Sequence, residues 1–253
     1  MNALVVQTYL GRDGTELAYR EMGQGRPLLL LHGYFSSAVT NWIHFGHAVT
    51  LAARGHRVIM PDLRGHGSSA KPRDPAAYPP DVLIEDGLAL IEALDLTEYD
   101  LGGYSLGGRT VVQMLLHGAR PGRAIVAGVG MLDIADLAGS GTFFRRVLTN
   151  LGTFERGTLE WKAEAFMKSG GGDPVALLHV LQTFVNTPRE DLARISVPTL
   201  VLIGREDDRS GEALAAAIPN SQYRVVPGDH MTAVTKPDLG LAMADFLDGI
   251  AVQ

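Results

Sequence analysis

The feature that most constrains the fold is a glycine-rich turn between a short strand-like segment and an amphipathic helical run. This turn, the elbow, carries the pattern Gly103-x-Ser105-x-Gly107 within residues 99–112. So sharp a strand-to-helix turn accepts only glycine at the flanking positions, because a Cβ there would collide with the backbone. Ser105 is therefore predicted to have a strained backbone, with its hydroxyl above the sheet at the start of the following helix. An ordinary turn with a helix-capping serine could have the same residues, so residues elsewhere in the chain must distinguish the two interpretations.

Length and composition exclude several classes of protein. The 253 residues fit one large α/β domain or two small ones, and a chain of this size can bury a core without disulfides or metals. There is no cysteine, which excludes disulfides, thiol nucleophiles and cysteine metal sites. The net charge is −6 without a basic block, so we expect no nucleic-acid partner.

No segment predicts export or membrane insertion. Residues 1–10 lack the basic start and long apolar core of a signal peptide. The longest apolar stretches, residues 28–31 and 124–132, are far too short to span a bilayer. We expect a soluble, cytoplasmic protein with no membrane partner; the oligomeric state is left open.

Short apolar strands alternate with helical segments along most of the chain. This alternation predicts an α/β fold: a mostly parallel central sheet with helices on both faces, preceded by a hairpin. Predicted strands cover residues 5–10, 16–21, 28–31, 57–60, the segment before the elbow, 124–129, 198–204 and 222–226. Predicted helices cover residues 41–54, 81–94, the segment after the elbow, 210–217 and 238–247.

The alternation stops between residues 131 and 189, where the apolar residues fall at loosely helical spacing and no strand is evident. We interpret this segment as a small helical cap inserted after the sixth strand rather than as a separate domain. The core then comprises residues 1–130 and 190–253.

Three residue types at strand ends point to nucleophilic chemistry. Acyl transfer by Ser105 needs a base to take its proton and a carboxylate to orient that base. His230 directly follows the last strand, and Asp207 follows the strand at 198–204. The carboxyl ends of parallel strands meet at one edge of a sheet, where catalytic groups gather. Spacing alone does not rank Asp207 above its neighbour Asp208, and Asp133 is a more distant alternative.

With these residues in place, the chain resembles serine hydrolases of the α/β-hydrolase family over nearly its whole length. In that family the carboxylate three residues past the strand-ending glycine, here Asp207, usually completes the triad. The matching segments are residues 32–35 (HGYF), residues 62–69 (DLRGHGSS), the elbow, Gly204-x-x-Asp207 and His230.

The resemblance also implies an oxyanion hole formed by the backbone N–H groups of Tyr34 and Leu106. Such donors stabilise the charge that develops on the substrate oxygen. His32 and the turn at residues 62–69 are interpreted as structural, so His66 is not the predicted base. His44 and His47 are weak evidence for a metal, and no cofactor or metal is implied.

We expect a small-molecule carboxylic ester of small to medium, fairly apolar character as substrate. Related chemistries stay open: cofactor-free perhydrolases (haloperoxidase-like), lactonases, thioesterases and C–C bond hydrolases. Haloalkane dehalogenases and epoxide hydrolases of the family use an aspartate where this chain has Ser105, so neither activity is expected. A ligand receptor on the same scaffold is the non-enzymatic alternative. The residues expected to line the substrate pocket are Phe35, Tyr104, Phe143, Phe144 and Trp161.

Overall fold

The computed structural model describes residues 4–135 and 141–249. Eight strands form one sheet in the order β1-β2-β4-β3-β5-β6-β7-β8. The first pairs antiparallel with the second, which pairs antiparallel with the fourth, and all remaining pairs are parallel. The predicted hairpin and mostly parallel sheet are confirmed. The strands are β1 (Gln7–Leu10), β2 (Glu16–Met22), β3 (Arg26–Leu31), β4 (His56–Pro61), β5 (Asp100–Tyr104), β6 (Ala124–Ala127), β7 (Thr199–Gly204) and β8 (Ser221–Val226).

Helices cover both faces of this sheet. Leu29 and Leu101 point into the core shared with α2, α3 and α8, whereas Leu28 and Leu30 point into the core shared with α1 and α9. Apolar residues on both sides of one strand are what a doubly covered parallel sheet requires. The helices are α1 (His47–Ala53), α2 (Val82–Ala93), α3 (Leu106–Leu116), α4 (Met131–Ala135), α5 (Thr142–Thr149), α6 (Leu159–Ser169), α7 (Pro174–Val180), α8 (Gly211–Ala217) and α9 (Pro237–Leu247).

The predicted continuous helix over residues 41–54 is wrong. The chain instead forms a π-helical turn at Val39–Ile43 and then α1. Gly46 lies between them with φ of 81°, a left-handed conformation that interrupts the helix. The predicted strand at residues 124–129 is also shorter, because Gly128 leaves the strand with φ of 63°.

The described residues between β6 and β7 form α4 to α7 and two 3₁₀ turns, Leu181–Thr183 and Arg189–Arg194, and contain no strand. This helical region packs on the loop after β3, where the Tyr34 hydroxyl donates to the Leu177 carbonyl of α7 at 2.7 Å. Within the part of the chain that the structure describes, every helix is too short or too polar to cross a bilayer.

Candidate active site

The turn between β5 and α3 is built around contacts that only glycine permits. A Cβ on Gly107 would lie 2.1 Å from the Leu31 carbonyl oxygen, and one on Gly103 would lie 2.3 Å from the Gly107 carbonyl carbon. Between them Ser105 has φ of 54° and ψ of −115°. This is the strained conformation that the motif predicts, and the surrounding packing holds it in place.

The structure brings Ser105, His230 and Asp207 together at the carboxyl edge of the sheet. His230 Nε2 lies 3.1 Å from Ser105 Oγ, and its Nδ1 lies 3.3 Å from Asp207 Oδ2. With the proton on Nδ1, the imidazole donates to the carboxylate and leaves the Nε2 lone pair facing the hydroxyl. The Asp207 side chain is 2% exposed and that of His230 22% exposed, so the carboxylate is shielded while the imidazole stays accessible.

The other two candidate carboxylates, Asp208 and Asp133, have different surroundings from Asp207. Asp208 is exposed. Asp133 accepts from the Gly130 N–H at 2.9 Å and pairs with Arg209. Of the three, the structure places only Asp207 in hydrogen-bond contact with His230.

Arg209 is a charged neighbour that sequence reasoning missed. Its Nε lies 3.2 Å from Asp207 Oδ1, and its guanidinium also contacts Asp133. Burial alone would raise the pKa of the Asp207 carboxyl, but the His230 hydrogen bond and the Arg209 charge outweigh burial and hold this pKa below its usual value. The carboxylate therefore stays ionised beside the imidazole. A lone arginine two residues past the predicted acid gave no sequence signal for this contact.

Tyr104, predicted to line the pocket, lies beneath the elbow instead. Its ring is buried on the α1 and α9 side of the sheet, and a Cβ on Gly128 would lie 2.9 Å from it. The hydroxyl donates to the His230 carbonyl oxygen at 2.5 Å, and the two rings are 5.6 Å apart. Tyr104 thus holds the backbone of the residue whose imidazole faces Ser105.

We expect Tyr104→Phe to lower kcat for ester hydrolysis about 3- to 10-fold with little change in KM, because loss of one hydrogen bond loosens the His230 backbone. Tyr99→Phe is the matched control, since Tyr99 is equally buried and its hydroxyl accepts from the Arg120 N–H, at 3.2 Å, rather than contacting His230. Steady-state kinetics and thermal melts on both variants separate positioning from stability. Equal kcat in the two variants would contradict the assigned contact.

The two proposed oxyanion donors flank Ser105. Leu106 opens α3, where the first N–H groups have no partner within the helix. Tyr34 follows Gly33, whose Cβ position would lie 3.4 Å from Ser105 Cβ. The Gly33 N–H donates to Asn41 Oδ1 at 3.0 Å, which fixes the loop that carries Tyr34. Sequence reasoning did not single out Asn41.

Three of the remaining predicted pocket residues belong to an aromatic cluster around Tyr34, and one does not. Phe35 stacks on Tyr34 at 4.6 Å, Phe144 meets the same ring edge-on at 4.9 Å, and Phe143 packs on Phe144 at 5.4 Å. Trp161 lies 36% exposed on α6, under the Arg156 guanidinium, and among the described residues it has no ring contact with this cluster.

The turn at residues 62–69 is held by the buried Asp62 carboxylate. Asp62 accepts from the N–H groups of Ala38 and Ser68, both at 2.8 Å, and pairs with Arg20 at 2.8 Å. A Cβ on Gly67 would lie 2.3 Å from the carboxyl carbon. Burial raises the pKa of Asp62, but the nearby His32 and these donors outweigh burial and hold the pKa below its ordinary value of 3.8.

This pKa direction predicts acid sensitivity. A carboxyl whose folded pKa is depressed stabilises the fold above its unfolded pKa, and this stabilisation is lost as pH falls through the folded value. Asp62→Asn should lower the free energy of unfolding by about 2 kcal/mol at neutral pH, and the deficit should shrink below about pH 4. Urea titrations across pH test this, with the exposed Asp81→Asn as control. A deficit independent of pH would refute the assignment.

The structure also places the histidines that were not chosen as the base, His32, His66, His44 and His47. His32 Nε2 accepts the Leu63 N–H at 2.9 Å, and its Nδ1 lies 2.7 Å from the Gly33 carbonyl oxygen. Burial lowers the pKa of His66 to about 3, and its Nδ1 faces the Arg64 carbonyl. His44 is exposed, whereas His47 is buried with Nε2 2.6 Å from the Val234 carbonyl oxygen, so the two do not share a face.

Comparisons with known proteins agree with this fold. The family model for the alpha/beta hydrolase fold matches residues 26–187. A non-heme haloperoxidase from Rhodococcus erythropolis is 28% identical, over 85% of this chain and 89% of its own. Two solved structures are each 26% identical: a hydrolase from Pseudomonas aeruginosa (TM-score 0.79, 97% of this chain and 99% of its own) and a thermophilic esterase from Thermogutta terrifontis (TM-score 0.77, 99% and 100%).

A strand-to-helix elbow on an eight-stranded, mostly parallel sheet defines the class, and the family match covers more than half of the chain. The chain belongs to the α/β-hydrolase-fold family. As a hydrolase of this family it acts on a small molecule.

Proposed function

We propose that the protein is a serine hydrolase that cleaves carboxylic esters of small to medium apolar substrates through an acyl-enzyme on Ser105. The observation that carries the proposal is the hydrogen-bonded line from Asp207 through His230 to the Ser105 hydroxyl, with distances of 3.3 and 3.1 Å. A base within reach of the nucleophile and an acid that orients the base are the arrangement that activates an alcohol at neutral pH.

In the proposed mechanism His230 Nε2 takes the Ser105 proton as Oγ attacks the ester carbonyl carbon. The backbone N–H groups of Tyr34 and Leu106 donate to the oxyanion, and each such donor contributes about 3 kcal/mol to transition-state stabilisation. The protonated imidazole then gives its proton to the leaving alcohol. Water, deprotonated by the same nitrogen, attacks the acyl-enzyme and releases the acid and free Ser105.

We propose that residues 131–189 act as a cap over this site and that Phe35, Phe143 and Phe144 shape its apolar wall. The ring contacts of these residues with Tyr34 and with one another support this assignment. Tyr104 acts from below through His230 rather than as a wall residue. Trp161, under Arg156 on α6, is the weakest of the proposed contacts.

A perhydrolase reaction is the second candidate, and the relatives named haloperoxidases favour it. Hydrogen peroxide would then replace water as the nucleophile that attacks the acyl-enzyme, which gives a peracid and free Ser105. Lactone, thioester and C–C bond cleavage would use the same triad. A ligand receptor on this scaffold is the non-enzymatic alternative.

One panel separates these candidates. 4-Nitrophenyl acetate and butyrate report esterase turnover, lactones report ring opening, and acetate with hydrogen peroxide reports peracid formation. We expect butyrate turnover and labelling of Ser105 by a fluorophosphonate. Peracid formation faster than ester hydrolysis would favour the second candidate, whereas absence of both turnover and label would favour a receptor.

A further inference from the structure

A narrow cleft beside the elbow contains a cationic side chain that the proposed chemistry does not use. The cleft has a volume of about 30 Å³ and is partly open to solvent, between α2, α3 and the segment at residues 183–187. Leu106, the residue directly after Ser105, lines it. Arg109 lines it too, one helical turn further along α3, with its N–H donating to the Ser105 carbonyl oxygen at 3.0 Å.

The Arg109 guanidinium has no bonded counter-ion. Among residues 4–135 and 141–249, no acceptor hydrogen-bonds to it and no carboxylate forms an ion pair with it; its guanidinium carbon lies 4.4 Å above the ring of Phe184. The charged groups that act on it through space are Asp133 and Arg209, and these two are paired with each other. Arg64, by contrast, is a buried arginine that pairs with both Asp13 and Asp86.

The other polar groups of the cleft are already engaged. Thr110 Oγ1 donates to the Leu106 carbonyl at 2.9 Å, and the Gln113 amide donates to Thr187 Oγ1. Much of the remaining lining is apolar, from Leu83, Ile84 and Phe184 among others. The guanidinium is therefore the free charged donor in a partly desolvated setting, where a charge-assisted hydrogen bond is worth more than in water.

Burial lowers the pKa of Arg109 to about 10, so the side chain keeps its charge at neutral pH. A half-buried cation without a counter-ion bears a desolvation cost that a bound anion would offset. The planar fork of a guanidinium matches a carboxylate in two-point geometry. Since Arg109 is the only charged residue among the described residues that line the cleft, a monoanion balances its charge better than a phosphate dianion.

From this placement we infer that Arg109 binds a carboxylate on the substrate, remote from the bond that Ser105 cleaves. The substrate class is thereby narrowed to half-esters, in which one end carries a free carboxylate and the other the scissile ester. The inference rests on the proposed function of Ser105 and extends it. Leu106 lines the cleft and also carries one of the proposed oxyanion donors, so the cleft adjoins the proposed reaction site.

The test compares two esters of equal chain length, 4-nitrophenyl hydrogen glutarate and 4-nitrophenyl pentanoate. Arg109→Met should lower kcat/KM for the glutarate about 10- to 100-fold, mainly through KM, and change the pentanoate value less than about 3-fold. Arg109→Lys should retain part of the preference, because it keeps the charge without the fork. Arg194→Met, which removes an exposed arginine that does not line the cleft, should leave both values unchanged.

Equal losses for the two esters in Arg109→Met, or no loss for the glutarate, would overturn the inference while the proposed function stands. If the wild type cleaves neither ester, the proposed function fails and binding decides the inference separately. Monomethyl glutarate should then raise the Tm of Ser105→Ala by about 3–6 °C at ten times its Kd, and dimethyl glutarate should not. The same shift in Ser105→Ala with Arg109→Met would overturn the assignment of Arg109.

Discussion

Ser105→Ala should abolish ester hydrolysis, with kcat reduced about 10⁴- to 10⁶-fold. The substitution removes the hydroxyl that His230 Nε2 faces at 3.1 Å and leaves the base without a proton to take. Alanine also keeps a Cβ where serine has one, so the elbow should fold unchanged. Hydrolysis of 4-nitrophenyl butyrate and labelling by a fluorophosphonate are the two measurements.

Ser69→Ala is a suitable control for this experiment, because Ser69 is a buried serine whose hydroxyl serves the turn at residues 62–69. It should lower stability and leave the fluorophosphonate label in place. Residual turnover in Ser105→Ala above one hundredth of the wild-type rate would show that another group performs the attack.

Asp207→Asn should lower kcat about 10⁴-fold. An amide in place of the carboxylate no longer stabilises the imidazolium that forms when Ser105 loses its proton, and its NH₂ group favours the wrong tautomer of His230. It also leaves the Arg209 guanidinium with one carboxylate partner, Asp133, instead of two.

Asp208→Asn is the matched control, since the residue is adjacent, exposed and of the same type. Its kcat should stay within about 2-fold of wild type, as is usual for surface substitutions away from a site. The reverse ranking of the two variants would move the acid to Asp208. Large losses in Asp133→Asn alone would instead point to the end of β6.

Much of the site could be predicted because its causes are local. Gly103 and Gly107 are dictated by backbone contacts that a Cβ would break, so the elbow can be identified from five residues. Asp207 and His230 follow strands, and the ends of parallel strands converge by topology. Only the family resemblance favours Asp207 over Asp208, because spacing along the chain does not show which of two adjacent carboxylates points toward the histidine.

What could not be predicted depends on side-chain packing between distant segments. The contact of Tyr104 with the His230 carbonyl spans 126 residues and depends on which face of β5 carries the ring. The break at Gly46 went unpredicted because helical spacing continues on both sides of it. Arg209 and Arg109 carry no motif, and only their neighbours in space distinguish them from surface arginines.

The hydrogen bond between the Tyr34 hydroxyl and the Leu177 carbonyl links the loop after β3 to helix α7. The backbone of Tyr34 carries one of the proposed oxyanion donors, while its side chain anchors α7. Any movement that lifts α7 to admit a bulkier molecule must break this bond or drag the donor with it. The bond thus couples the position of α7, in the proposed cap, to the geometry of the proposed oxyanion hole.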